Sequence, residues 1–216
     1  MENDEKNYSK IVKHYEECFE KYGADHRGVD WPNQYDLDKR FLVMAGLILK
    51  KDTPCALLDF GCGTGLLLDW LRENELLHRF DYHGCDISEK FIECCVKKFP
   101  NELFFQIDAL QNPEKLNNYD YIIMNGVFTM KVDLSYQDMW NYFCQLLTLL
   151  FSKAQKGIAF NLMSKQVDWE RTDLFHVGLD QLTAFLTKNL GRHFVIRNDY
   201  GLYEYTVYLY KEAVIR

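Results

Sequence analysis

The sequence predicts an α/β fold: a doubly wound, mainly parallel sheet of seven strands with helices on both faces. Three observations carry this. Short apolar runs alternate with helix-length amphipathic stretches from residue 54 onward, the pattern of βαβ units. A glycine-rich string, GCGTG, follows directly on the first apolar run, as a tight strand-to-helix turn requires. Only five residues, 198–202, separate the last two strand-like runs, so these pair as an antiparallel hairpin at the sheet edge.

The elements follow in order. Tyr8, Ile11, Val12, Tyr15, Phe19 and Tyr22 recur at three- and four-residue steps and form a helix that Gly23 stops. A polar loop, 24–33, carries the string HRGVDWPN, and a second helix spans 34–50. The strand at 55–60 passes through the glycines into a helix containing Trp70 and Leu71. Residues 80–85 form a strand and 88–99 a helix, with Phe91, Ile92, Cys95, Val96 and Phe99 on one face and Pro100 as its end. Strands at 103–107 and 119–124 precede a strongly amphipathic helix, 136–151. A strand at 157–163, a helix at 180–190 stopped by Gly191, and strands at 193–197 and 203–210 complete the chain. No internal repeat, low-complexity tract or linker interrupts the 216 residues, which read as one domain: a helical cap over 1–50 and a core over 54–216.

Composition narrows the function. Hydrophobic residues make up 48% of the chain, enough for a real core, and the net charge of −7 with no lysine or arginine run disfavours a nucleic-acid partner. No apolar stretch reaches the roughly 18 residues of a membrane span, and the polar N-terminus is no signal peptide. The seven cysteines are odd in number and include no C-x-x-C pair, so they are expected as reduced thiols in a cytoplasmic protein, with no metal site.

The glycine string decides between ligand classes. A dinucleotide fingerprint needs glycine where Leu66 stands, and a P-loop needs a following G-K-[ST] that is missing. Asp59, just before the loop, would repel a pyrophosphate and favour a cationic ligand. Asp86 closes the second strand in YHGCDIS, where a carboxylate can accept both hydroxyls of a ribose. Asp108 closes the third strand in FFQIDAL, and the fourth ends in Asn125-Gly126-Val127.

The string D-x-G-x-G-x-G, 59–65, together with these strand ends resembles the class I S-adenosylmethionine-dependent methyltransferases over residues 54–216. The resemblance implies a Rossmann-like core under an N-terminal helical lid, S-adenosylmethionine as cofactor with no metal, and S-adenosylhomocysteine as product. It implies that Asp59, Gly61, Cys62, Gly63 and Gly65 hold the methionine end, Asp86 with Ile87 the ribose, and Asp108 with Ala109 the adenine. Asn125, Gly126 and Val127 then lie beneath the adenosyl group and beside the methyl, with Tyr15 reaching in from the lid. Trp31 and Asp30 of the loop and Met163 of the fifth strand are expected to face the acceptor.

His26 and His176 are the candidate general bases, one in the lid and one after the fifth strand, whereas His14, His78, His83 and His193 read as structural. The strings GVDWPN, NGVF, NLMSK and NDYGLYEYT are similar to stand-alone bacterial methyltransferases of polysaccharide pathways. The expected acceptor is therefore a small molecule: a sugar, nucleotide-sugar or phosphate-bearing precursor methylated on oxygen. The alternatives are a small carboxylic acid as acceptor, a cofactor-binding subunit without activity, and a nicotinamide enzyme that departs from its fingerprint. The oligomeric state is left open.

Overall fold

The computed structural model describes residues 8–48 and 52–214. Helix α1 (Ser9–Tyr22) ends where Gly23, at φ 74°, returns its backbone N–H to the Phe19 carbonyl. A short 3-10 turn (His26–Val29) crosses to α2 (Gln34–Ala45), which Asn33 caps by accepting from the Asp36 N–H. This helix is shorter than the expected 34–50, and its last two expected residues, 49 and 50, lie outside the described residues.

The sheet is built from β1 (Cys55–Phe60), β2 (Phe80–Asp86), β3 (Leu103–Gln106), β4 (Tyr119–Met124), β5 (Ala154–Ser164), β6 (His176–Val177), β7 (Phe194–Arg197) and β8 (Glu204–Tyr210). Helices α3 (Leu66–Glu73), α4 (Glu89–Lys98), α5 (Tyr136–Lys153) and α6 (Leu179–Asn189) make the crossovers. The strand order is β3-β2-β1-β4-β5-β8-β7, with the first five parallel and β8 antiparallel to both neighbours.

The expected hairpin therefore forms, but its second strand does not lie at the edge. β8 inserts between β5 and β7, and all seven of its residues are buried. A second departure is β6, two residues long, which pairs in parallel with the end of β5 inside a stretch that had read as loop.

The sheet is covered on both faces, so its inner strands are apolar in both directions. Leu58 and Phe60 of β1, with Ile122 and Met124 of β4, pack against α5 and α6. Leu57, Tyr121 and Ile123 point the other way, into a cluster with α2 and α3. Strand order reverses at β1, which has β2 on one side and β4 on the other, and the crevice beyond their carboxyl ends is where such sheets take ligands.

Candidate active site

That crevice holds a cavity of about 140 Å³, bounded below by the strand ends and above by α1 and the loop before α2. The glycine turn shapes its floor. Gly61 and Cys62 both donate their N–H groups to the Cys85 carbonyl, tying the loop to β2. Gly63, at φ 52°, donates to Asp86 Oδ2 at 3.0 Å, and Ser88 N–H fills Oδ1 at 2.9 Å. A Cβ on Gly63 would sit 2.7 Å from Val29 Cγ1, and one on Gly126 2.7 Å from the Trp31 ring. The glycines thus make room for the overlying loop as well as for a ligand.

Two acids at the floor are electrostatically poised. Asp59 is 3% exposed, accepts from the Tyr82 hydroxyl at 2.7 Å, and is pushed up to about 7 by burial, with the Asp86 charge adding to the shift. Burial likewise raises Asp86 to about 6, against the lowering effect of its backbone N–H partners. The third acid, Asp108, accepts from the Tyr8 hydroxyl at 2.7 Å and from the Gln111 N–H.

At the end of β4, Gly126 donates its N–H to Asn161 Oδ1 at 2.8 Å, and its carbonyl accepts from Thr129 Oγ1 and, at 3.4 Å, from the Tyr15 hydroxyl. Asn125 Oδ1 is the one buried side-chain polar atom without a hydrogen-bond partner among the described residues, and Asn125 lines the cavity. Buried polar atoms are otherwise satisfied, so this orphan fits a ligand donor. Buried, partly protonated acids likewise suit a cationic ligand. The donor set thus fits S-adenosylmethionine.

The structure brings most of the expected residues together. Asp59, Gly61, Cys62 and Gly63 line the cavity, as do Asp86, Ile87, Asp108 and Ala109, and so do Asn125, Gly126, Val127, Tyr15 and Trp31. Gly65 does not. At φ 76° it caps the start of α3, where a Cβ would sit 2.6 Å from the Phe99 ring and 3.3 Å from Cys95 Sγ, a packing position.

Asp30 and Met163 are also absent from the wall. Asp30 Oδ2 turns outward to His14 Nε2 at 2.9 Å, and Met163 is paired within the sheet between Glu204 and His176. Neither candidate base lines the cavity. His26 Nδ1 bonds the Trp31 carbonyl, which fixes the loop, and His176 is a buried β6 residue held by the Ser164 carbonyl and the Arg171 N–H. Their expected role as bases has no geometric support. Tyr22, which ends α1, is exposed.

Sequence reasoning missed Tyr8, Val29, Phe41 and Tyr142 as wall residues. Tyr8 and Tyr15 share one face of α1 at helical spacing, a signal that reads equally as a core stripe. Tyr142, stacked on Tyr8 with ring centroids 5.1 Å apart, is hidden in the amphipathic pattern of α5.

The sheet order, the glycine turn and the acids closing β2 and β3 resemble those of the class I S-adenosylmethionine-dependent methyltransferases. Residues 58–148 match the family described as a methyltransferase domain. Over 168 residues the chain is 24% identical to the protein Rv1506c of Mycobacterium tuberculosis, named as a methyltransferase, covering 77% of this chain and 99% of that one.

Among solved structures, it resembles magnesium protoporphyrin IX methyltransferase from Synechocystis PCC 6803 with bound S-adenosylhomocysteine. The TM-score is 0.64 at 17% identity, covering 94% of this chain and 100% of that one. Human N-acetylserotonin methyltransferase in complex with S-adenosylmethionine gives a TM-score of 0.59 at 14% identity, over 83% of this chain and 53% of that one. A methyltransferase from Aquifex aeolicus gives 0.55 at 17%, over 83% and 93%. Acceptors in this set differ, so the likeness extends to the fold and not to the substrate.

Proposed function

We propose that this protein transfers the methyl group of S-adenosylmethionine to an oxygen of a small molecule: a sugar, a nucleotide-sugar or a phosphate-bearing polysaccharide precursor. The observation that carries the reading is the cavity in which Asp59, Asp86 and Asp108 lie at or beside the carboxyl ends of three adjacent strands, with Trp31 and Tyr15 in the same wall. When bound, the cofactor supplies an electrophilic methyl on a sulfonium. An acceptor oxygen would bond to that carbon as the carbon–sulfur bond broke, leaving S-adenosylhomocysteine, and a hydroxyl acceptor would release its proton to solvent.

The chain's own residues bind, orient and exclude water. Asp86 keeps lone pairs free beside its backbone donors and takes the ribose hydroxyls. Asp59 offers a buried negative charge to the cationic methionine end. Trp31 and Tyr15 shield the Gly126 region, so that alignment in a dry site supplies most of the rate. The roofed cavity favours an acceptor small enough to enter beneath the lid. The polysaccharide assignment is supported by the similarity of the GVDWPN, NGVF, NLMSK and NDYGLYEYT strings to methyltransferases of those pathways.

The test is calorimetry with S-adenosylmethionine, followed by turnover on a panel of sugars, nucleotide-sugars, sugar phosphates and small carboxylic acids. Cofactor binding with turnover on one of the first three classes is expected. Turnover only on a carboxylic acid overturns the acceptor assignment, and absent cofactor binding overturns the whole reading.

A further inference from the structure

On the lid, outside the wall of the cavity, His14 Nε2, Cys18 Sγ and Asp30 Oδ2 lie within 4.8 Å of one another. Among the described residues this is the one group of three His, Cys, Asp or Glu side chains so arranged. His14 and Cys18 stand one turn apart on α1 and therefore share a face. Asp30 comes from the loop before α2, where its backbone is held at φ 59°, a left-handed conformation that disfavours any residue with a Cβ. That backbone turns its carboxylate onto the helix. His14 Nε2 is 2.9 Å from Asp30 Oδ2 and 3.9 Å from Cys18 Sγ, and the His14 and Asp30 side chains are 30% and 36% exposed.

We propose that His14, Cys18 and Asp30 bind one zinc-type divalent cation that clamps α1 to the lid loop, leaving a fourth position open to water. The donor set is the argument. Imidazole, thiolate and carboxylate together suit zinc and the softer divalent ions, and not magnesium or calcium, which demand oxygen ligands. Zinc bonds of about 2.0–2.3 Å at tetrahedral angles place their donors roughly 3.3–3.6 Å apart. The separations of 2.9 and 3.9 Å bracket that range, so small side-chain rotations complete the site.

On binding, the Cys18 S–H proton leaves to solvent, and the sulfur, imidazole and carboxylate lone pairs form three bonds to the metal with no change of oxidation state. The cation takes no part in methyl transfer. It fixes the neighbours of its ligands, since Tyr15 and Trp31, adjacent in sequence to His14 and Asp30, line the cavity. The sequence shows no such site because its ligands come from two segments joined only by the fold.

The test uses the full chain, reduced and stripped of metal, titrated with zinc ion against a chromophoric indicator. The expected result is one tight site per chain, weakened at least tenfold in Cys18→Ser and in Asp30→Asn, while the six other cysteines stay in place. Cobalt ion should give a thiolate charge-transfer band that Cys18→Ser abolishes, and zinc should slow hydrogen exchange over residues 9–31 in the wild type only. If Cys18→Ser fails to fold, Asp30→Asn carries the comparison. Equal zinc affinity in wild type and variants, or no stoichiometric binding, overturns the proposal.

Discussion

Asp86 and Asp59 are single carboxylates placed where water is scarce, and their proposed roles make measurable demands on cofactor binding. Removing the Asp86 carboxylate frees the Gly63 N–H and, on the proposed reading, takes two charge-assisted acceptors from the ribose hydroxyls. Asp86→Ala should weaken S-adenosylmethionine binding by about ten- to a hundredfold, on the order of 1.5–3 kcal/mol, read by calorimetry on the folded variant. An unchanged affinity would remove Asp86 from the ribose site. Because Asp59 stands near 7 and Asp86 near 6 in the free protein, binding of a cationic ligand to their ionised forms must expel protons below those values. Affinity should therefore rise with pH between about 6 and 8. Calorimetry at pH 6.5 in buffers of different ionisation enthalpy should report net proton release, and Asp59→Asn should reduce it.

At the scale of elements, α1 and its following loop form a roof anchored along its length, by Glu16 to Ser88 and Lys90, by the Ala24 carbonyl to Thr64, and through Trp31. Trp31 lies under the Arg40 guanidinium, 4.1 Å from its ring centroid, and Arg40 is paired through two nitrogens with Glu204, whose side chain is wholly buried. Asn161 joins the two halves, donating to Glu204 and accepting from the Gly126 N–H. Arg40→Met leaves Glu204 charged and short of a partner, and should cost about 3–5 kcal/mol in denaturant unfolding. Arg40→Met with Glu204→Gln should recover a large part of it, and a double variant as unstable as the single would show that packing, not charge, is lost. S-adenosylhomocysteine should slow hydrogen exchange over 9–31 more than over α6, which lies outside the cavity wall. Equal protection of both would make the N-terminal segment a fixed part of the core.

Elements of this kind were legible in the sequence to different degrees. The strands β1 to β4 could be read because each is an apolar run closed within two residues by a glycine or an acid, and most of the expected cavity-lining residues could be read because they sit at those closures. What escaped was set by tertiary contact. β6 is too short to show a period, and the insertion of β8 beside β5 depends on which edge was free, not on its own residues. The histidines misled because exposure cannot be seen in a loop's composition: His26 and His176 spend ring nitrogens on backbone carbonyls, while His14, which had read as structural, meets Asp30 across the lid.

For the whole molecule, the same two acids tie stability to pH. Their folded values lie above the 3.8 of an ordinary aspartate, so each favours folding in its protonated form. That stabilisation is full below about pH 4 and is lost as pH rises through about 6 and 7, by several kcal/mol at most. The cofactor-free protein should therefore melt lower at pH 8 than at pH 5.5, and the difference should shrink in Asp59→Asn. A flat profile would mean that water reaches both carboxyls. One further consequence concerns the order in which the chain is made. Glu204 comes 164 residues after Arg40, and the glycine turn, Asp86 and Asp108 all precede it. During translation the glycine turn and the three acids leave the ribosome well before the acid that pairs with Arg40. A nascent chain, or a fragment cut anywhere before β8, therefore carries the cavity floor without the partner that holds Arg40 over Trp31, and its lid loop is expected to seat less firmly than that of the full chain.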